Sequence, residues 1–386
     1  MTTASARPPL RFDRREWAGA FGDIGTDLPL LVGMILASNL KSAWVLMGFG
    51  ALQILTGLLY RLPMPVQPLK AMAALVIAQK LPASVLWGGG LAIGLLMILL
   101  VATGALEYIG KHVPRTVIRG IQFGLGLQLS LLALREYIPS LGGWGYGIAL
   151  LGFGLWLFWG VRSRLPAGLL LVGLGLLGAW AFRLPWDWPV RFFGLPSWEA
   201  PRITWTDIGT GFLLLALPQL PLSLANSLLA TRQLVEDYFP DRRLSLSRLG
   251  WTYGLMNLFS PWIGGVPVCH GSGGMAGHVA LGARTGGSVV IYGSVLLLGG
   301  LFWGAGFDRV VAAFPLPVLG VLLLIEGWAL MRLVADRAEK PGEFALALLV
   351  GLCSAALPYG YLVGLLLGTL LHHLAGERLE LLRGGA

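Results

Sequence analysis

The chain has 386 residues, of which 56% are hydrophobic and only 12% charged, and its mean hydropathy is +0.74. An ordinary soluble domain carries about 25% charged residues, so a water-soluble globule is excluded, as is a disordered chain. Two cysteines, Cys269 and Cys353, exclude a disulfide scaffold. The formal charge of +9 does not mark a nucleic-acid partner, because the basic residues are spread along the chain rather than gathered in a patch.

A membrane-spanning helix takes about 20 apolar residues. In chain order, apolar runs fall at 17–38, 43–60, 65–79, 84–106, 116–135, 144–161, 166–183, 207–229, 248–263, 268–282, 286–305, 311–331, 342–356 and 359–374. These fourteen segments predict an all-α polytopic membrane protein. The first sixteen residues are polar, with no short apolar core and cleavage site behind their basic residues, so no signal peptide is expected. Roughly a dozen residues follow the last run, too few for a soluble C-terminal regulatory domain. The expectation is a single transmembrane unit.

Charge placement tests the count. With a cytoplasmic N-terminus, the inside segments include 107–119 (Lys111, Arg115, Arg119), 162–165 (Arg162, Arg164), 230–248 (Arg232, Arg242, Arg243, Arg248) and 332–340 (Arg332, Arg337, Lys340). With the termini, Arg61 and Arg284, twenty of the 28 Lys and Arg lie inside. Seven lie outside (Lys41, Lys80, Arg135, Arg183, Arg191, Arg202, Arg309), and Lys70 falls within a span. Such an excess of inside positive charge fits fourteen segments with both ends cytoplasmic, as in a bacterial plasma membrane. The stretch 184–206, with Trp186, Trp188 and Trp198, is expected to be an interface-hugging connector between two halves.

The halves carry two matches in the same order. Asp23-Ile24-Gly25-Thr26 opens the first segment and Asp207-Ile208-Gly209-Thr210 the eighth, 207 − 23 = 184 residues later. Pro65-Val66-Gln67-Pro68 is echoed by Pro267-Val268-Cys269-His270, at 267 − 65 = 202. Seven segments per half is an odd number, so the halves must sit in opposite orientation. An inverted repeat with a broken helix in each half is a signature of transporters.

Prolines at 63, 65 and 68 prevent a continuous helix, since each lacks an N–H, whereas the sequence after Pro68 reads as a good helix. A half-helix is therefore expected in segment three. Its partner in segment ten runs Pro267-Val268-Cys269-His270-Gly271-Ser272-Gly273-Gly274, Gly-rich at the expected helix start. Gly-rich backbone at a helix N-terminus suits an anion, although small residues also serve simply to pack helices. Each N-terminus acts like about half a positive charge. Two of them and an inward-facing Lys70 supply about +2, which suits a dianion; alternatively Lys70 snorkels to an interface.

Other polar residues fall in the same spans. Gln219 and Asn226 in segment eight offer neutral amides where a proton-coupled carrier of a neutral substrate might keep a carboxylate. The candidate substrate-binding set is Gln67, Lys70, Gln219, Asn226, His270, Gly271, Ser272, Gly273 and Gly274. Asp23 and Asp27, four apart on one helical face, either cap a helix or pair with basic residues, or one of them carries a coupling proton. His270, His278 and Glu326 are further candidates for that proton. The histidines show no metal-ligand spacing with thiolates, and no nucleotide fingerprint or catalytic triad is present. No metal, cofactor or enzymatic activity is expected.

Taken together, Phe21–Pro29, Pro63–Lys70, Pro218–Ser227 and Pro267–Gly274 resemble the molybdate transporter family, a branch of the sulfate permease superfamily. The resemblance runs nearly end to end. It implies a seven-plus-seven inverted repeat, also similar to uracil permeases. The core domain would be about 17–106 and 207–305, and the gate about 116–183 and 311–374. It further implies an oxyanion held between the N-termini of segments three and ten, elevator-like movement of core against gate, lipid contact and often a homodimer. Sulfate, a general oxyanion, a nucleobase symporter on the same fold and an anion channel are the alternatives.

Overall fold

The computed structural model describes residues 9–160, 167–182, 184, 187 and 193–375. All fourteen expected segments are found among them, in the expected order. Segment one is Arg14–Ala20 followed by Ile24–Ser38, segment two Ser42–Tyr60, segment four Ala83–Ala102 and segment five Arg115–Leu132 with a wound extension to Leu141. Segments six and seven are Gly143–Gly160 and Ala167–Phe182, and segment eight runs Trp205–Tyr238. Segment nine is Leu246–Phe259, eleven Gly287–Phe302, twelve Leu316–Arg332, thirteen Pro341–Ala356 and fourteen Gly360–Ala375. Among the described residues, six helices are long and apolar enough to cross a membrane, and six shorter apolar ones accompany them. Leucine-rich faces of segments two, four, six and fourteen (Leu55, Leu95, Leu150, Leu366) stay exposed, as a hydrocarbon environment allows. Arg162, Arg164, Arg183, Arg191, Trp186 and Trp188 lie outside the described residues.

Segments three and ten are broken as expected, and each enters its helix from a short strand. Val66–Pro68 (β1) and Val268–His270 (β2) form a two-stranded antiparallel pair, so the chain is not wholly α. The pairing is Val66 with His270, Gln67 with Cys269 and Pro68 with Val268. Adding 202 to one strand regenerates the other, and the same shift turns the pair Val66–His270 into Pro68–Val268. The pseudo-twofold axis of the repeat therefore passes through Gln67–Cys269. The helices that follow start at Lys70 and Ser272, again 202 apart.

This geometry answers a physical demand. Extended backbone at membrane depth must have its polar groups satisfied within the protein. The strands do so for each other, Leu69 N donates to Pro267 O at 3.0 Å, and one amide side chain serves each strand. Gln53 Nε2 donates to Val66 O at 2.8 Å while its Oε1 accepts from Val66 N at 2.9 Å. Asn257 does the same for Val268, at 2.7 and 2.9 Å. Both amides are fully buried and sit at corresponding places in segments two and nine.

Three features depart from expectation. The tetrapeptides at Asp23 and Asp207 do not occupy equivalent places: Asp23 lies at the break inside segment one, whereas Asp207 forms a capping box with Thr204 at the very start of segment eight. Their identity is coincidental, and the repeat rests on the 202-residue relation. Two short helices, Ala105–His112 and Gly304–Ala313, follow segments four and eleven, one in each half. Segment eight also winds into π-turns at Phe212–Ala216 and Ser223–Leu229 on either side of Leu217–Leu222, which contains Pro218 and Pro221. Proline removes a donor from the helical ladder, and a π-turn is one way a helix absorbs the defect.

Many glycines act as packing surfaces. Gly50 meets Gly293, Gly57 meets Gly286 and Gly94 meets Gly254, which joins segments two with eleven and four with nine. Gly120 and Gly124 meet the backbone of segment thirteen, and Gly126 meets Gly327 of segment twelve. A Cβ at these positions would strike backbone, so close approach is what the small residue provides.

Candidate substrate site

Where the two half-helices begin, a cavity of about 790 Å³ reaches in from one face. Its inner end is lined by Thr26, Lys70, Gln122, Asn226, Ser272, Gly273 and Glu326, and its mouth by Arg115, Arg119, Arg232, Glu236 and Asp237. The mouth thus lies where segment five starts and segment eight ends.

Of the nine expected binding residues, four come together at this inner end. Lys70, the first residue of the segment-three helix, is 4% exposed and does not snorkel. It pairs instead with Glu326 of segment twelve, whose other oxygen accepts from Thr26 Oγ1 at 3.1 Å. A buried lysine needs a countercharge, and here the protein supplies one. Ser272 Oγ donates to Asn226 Oδ1 at 2.9 Å, and Gln122 Nε2 approaches the same oxygen at 3.5 Å. Gly273 is the position with room: a Cβ there would meet nothing within 4 Å. Among the described residues no side chain is seen to accept from the first-turn N–H groups of the segment-ten helix, and Ser272 and Gly273 of that turn line the cavity.

The other five are placed differently. Gln219 does not reach the cavity; its Oε1 accepts from Ala71 N at 2.9 Å and Met72 N at 3.2 Å, and its Nε2 donates to Ser223 Oγ at 3.1 Å. The start of the segment-three helix is thereby capped by a side-chain carbonyl, and the two half-helices are unequal. Gln67 lies behind the cradle, donating to Asp23 Oδ1 at 2.6 Å. A Cβ on Gly271 would collide with Gln67 and one on Gly274 with Asp23, so both glycines serve packing. His270 turns away: its Nε2 shares a 2.7 Å hydrogen bond with Thr252 Oγ1 and its ring stands edge-on to Tyr60.

Among the proton candidates, Glu326 alone lines the cavity. Asp23 and Asp27 are buried close to it, Asp23 facing Gln67 and Thr26 and Asp27 facing Tyr292. His278 is buried away from the cavity, its Nδ1 3.0 Å from Ser288 Oγ. Sequence reasoning missed Thr26, Gln122 and the pinning amides Gln53 and Asn257. The last two were legible in principle, as lone amides in apolar helices one segment before each break.

A sequence model of the family described as "Molybdate transporter of MFS superfamily" matches residues 15–129 and 211–330. Molybdate transporter 2 of Arabidopsis thaliana is 34% identical over 89% of this chain and 85% of its own length. The chain belongs to the molybdate transporter family. Its fold is that of sulfate-permease-type membrane domains. The transmembrane domain of the cyanobacterial bicarbonate transporter BicA superposes with a TM-score of 0.62, at 18% identity, over 91% of this chain and all but 1% of that one. The murine anion transporter Slc26a9 in its inward-facing state gives 0.68, at 12% identity, over 95% of this chain and 69% of that one. These neighbours carry the seven-plus-seven inverted repeat, and with it the molybdate transporter family member described here is an integral, multi-pass membrane protein.

Proposed function

We propose that this protein is a secondary active carrier of tetrahedral oxyanions, with molybdate as its first substrate. The observation that carries the reading is the meeting, at the blind end of one cavity, of Lys70, the uncapped start of the segment-ten helix and the open space at Gly273. A full positive charge and a helix N-terminus offer an oxyanion charge and N–H donors without a catalytic group. The molybdate transporters among its relatives make molybdate the first anion to try. We read the protein as a carrier rather than an enzyme, with Lys70, Asn226, Ser272 and Gly273 in contact with the anion and Gln219, Gln67, Gly271 and Gly274 holding the two half-helices in place.

For the movement we propose an elevator. Segments one to four with eight to eleven form the core, about 17–106 and 207–305, and the remaining segments form the gate, about 116–183 and 311–374. Glycine-to-backbone packing within each group supports this division. The face carrying Arg115, Arg119 and Arg232 is assigned to the cytoplasm, with both termini, so the cavity faces inward. Lipid contact and a homodimer, both expected from the resemblance, belong to the same reading. A bacterial plasma membrane, expected from the sequence, belongs to the same reading, while the Arabidopsis relative is a plant protein.

The test is molybdate uptake into proteoliposomes, with sulfate and uracil as competitors. Saturable uptake that excess sulfate slows only weakly is expected. Equal inhibition by sulfate would make the protein a general oxyanion carrier, and unsaturable flux would make it a channel. Inhibition by uracil alone would favour a nucleobase carrier.

A further inference from the structure

The two half-helix starts are faced by corresponding residues. Lys70 of segment three meets Thr26 of segment one and Glu326 of segment twelve, both through the Glu326 carboxylate. Ser272 of segment ten meets Asn226 of segment eight and Gln122 of segment five through the Asn226 carbonyl, at 2.9 and 3.5 Å. The inverted repeat relates the two sets, since 226 − 26 = 200, 272 − 70 = 202 and 326 − 122 = 204. One set is charged and closed by its own ion pair. The other is neutral, and its link between segments five and eight is long.

That long link leaves a buried donor poorly served. An N–H···O bond usually measures about 2.7–3.2 Å, yet among the described residues the acceptor for Gln122 Nε2 is Asn226 Oδ1 at 3.5 Å. Gln122 is 1% exposed and lines the inner end of the cavity. Arg119, three residues earlier on the same helix face, fixes which end of the amide points inward. A guanidinium only donates, so the group it holds must be the carbonyl. Arg119 Nη1 donates to Gln122 Oε1 at 2.9 Å, while its Nε and Nη2 engage Asp336 Oδ2 at 2.8 and 2.7 Å. The amide NH2 is left facing Asn226 and the cavity. Gly120 and Gly124 against segment thirteen and Gly126 against Gly327 hold this helix in place.

We propose that Gln122 is a ligand of the anion, donating from segment five to an oxyanion at the start of the segment-ten helix, with Arg119 as the positioning residue that keeps the amide NH2 toward it. The proposal rests on the oxyanion reading above and deepens it. The neutral set is the place for the anion, because at the charged set a carboxylate already lies on Lys70 and Thr26. The Lys70 ammonium has three N–H groups, so it serves Glu326 and still lends its charge to the anion. On arrival the anion takes Gln122 Nε2 and the Ser272 hydroxyl from the Asn226 carbonyl. One long hydrogen bond is exchanged for charge-assisted ones, which are about twice as strong as neutral ones. The bound anion then bridges segments eight and ten of the core to segment five of the gate.

The experiment is calorimetric titration of the detergent-solubilised full chain with molybdate, with thermal unfolding as the check on folding. Gln122→Met removes the amide at similar length and should raise the molybdate Kd by roughly 10- to 100-fold. Gln128→Met, on the same helix, removes an amide that bonds Tyr361 and the carbonyls of Ser354 and Ala355 outside the cavity, and should bind as wild type does. Arg119→Met should weaken binding several-fold, and that loss should shrink once Gln122→Met is present, a non-additivity that removal of a remote charge does not produce. Wild-type affinity in folded Gln122→Met overturns the ligand role, and additive losses overturn the positioning role of Arg119. If Gln122→Met fails to fold, Gln122→Glu takes its place, since it keeps the shape and the partner Arg119; it should bind at least as weakly, and wild-type affinity there overturns the proposal equally. No molybdate binding to folded wild-type protein would instead overturn the oxyanion reading beneath it.

Discussion

Three glycines lie within four residues at the start of the segment-ten helix, and the structure gives them different work. A methyl group on Gly273 would meet nothing within 4 Å, whereas one on Gly271 would strike Gln67 and one on Gly274 would strike Asp23. Gly273→Ala is therefore expected to leave the melting temperature at or slightly above the wild-type value, since alanine is favoured over glycine by up to about 1 kcal/mol in a helix. Gly271→Ala and Gly274→Ala should each cost about 1–3 kcal/mol through overpacking and melt earlier. Binding should show a separate pattern. A side chain at 273 stands between the anion and the first-turn N–H groups, and each charge-assisted hydrogen bond lost contributes about 1.5–3 kcal/mol. Gly273→Val should then raise the molybdate Kd by roughly 10- to 100-fold with the fold intact. Calorimetry for binding and thermal unfolding for stability read the two effects independently. Wild-type affinity in Gly273→Val would refute the cradle, and an early melt in Gly273→Ala would refute the open space.

Other perturbations test other parts of the account. Lys70→Met should abolish measurable molybdate binding and, by leaving Glu326 unpaired, lower stability by about 3 kcal/mol. The double variant Lys70→Met with Glu326→Gln should regain stability in a thermal melt but not binding. Gln53→Leu and Asn257→Leu each strand one N–H and one C=O of the β-pair, at about 1–3 kcal/mol per group. Their losses in unfolding experiments should be similar, because the 202-residue repeat gives them the same task. In a background lacking Cys353, Gln122→Cys should react with a membrane-impermeant thiol reagent from the cytoplasmic side and be shielded by molybdate. Reaction from the opposite side alone would reverse the orientation assigned to the cavity.

The architecture was largely legible because the physics behind it is local. Apolar runs of bilayer length mark the spans, and Pro63, Pro65, Pro68 and Pro267 mark the two breaks wherever they occur in a fold. The two short helices after segments four and eleven were not legible in the same way: they are eight and ten residues long and lie between apolar runs. Side-chain direction at the breaks was the harder part. In a strand of three residues, neighbours face opposite ways, so Gln67 and His270 could be aimed only once the β1–β2 register was known. Gln219 and Asn226 are seven apart, nearly one face of an ideal helix. The π-turn at Ser223–Leu229 breaks that relation and sends one amide to a helix cap and the other to the cavity. The countercharge for Lys70 comes from 256 residues away, a distance no local pattern spans.

The central claim is that the cavity ending at Lys70 and Gly273 holds an oxyanion. Titration of purified, folded protein with molybdate, followed by displacement with sulfate, tests it most directly. The account predicts saturable binding of one molybdate per chain that excess sulfate displaces only weakly. No heat of binding from either anion, with the protein's cooperative melt intact, would contradict it.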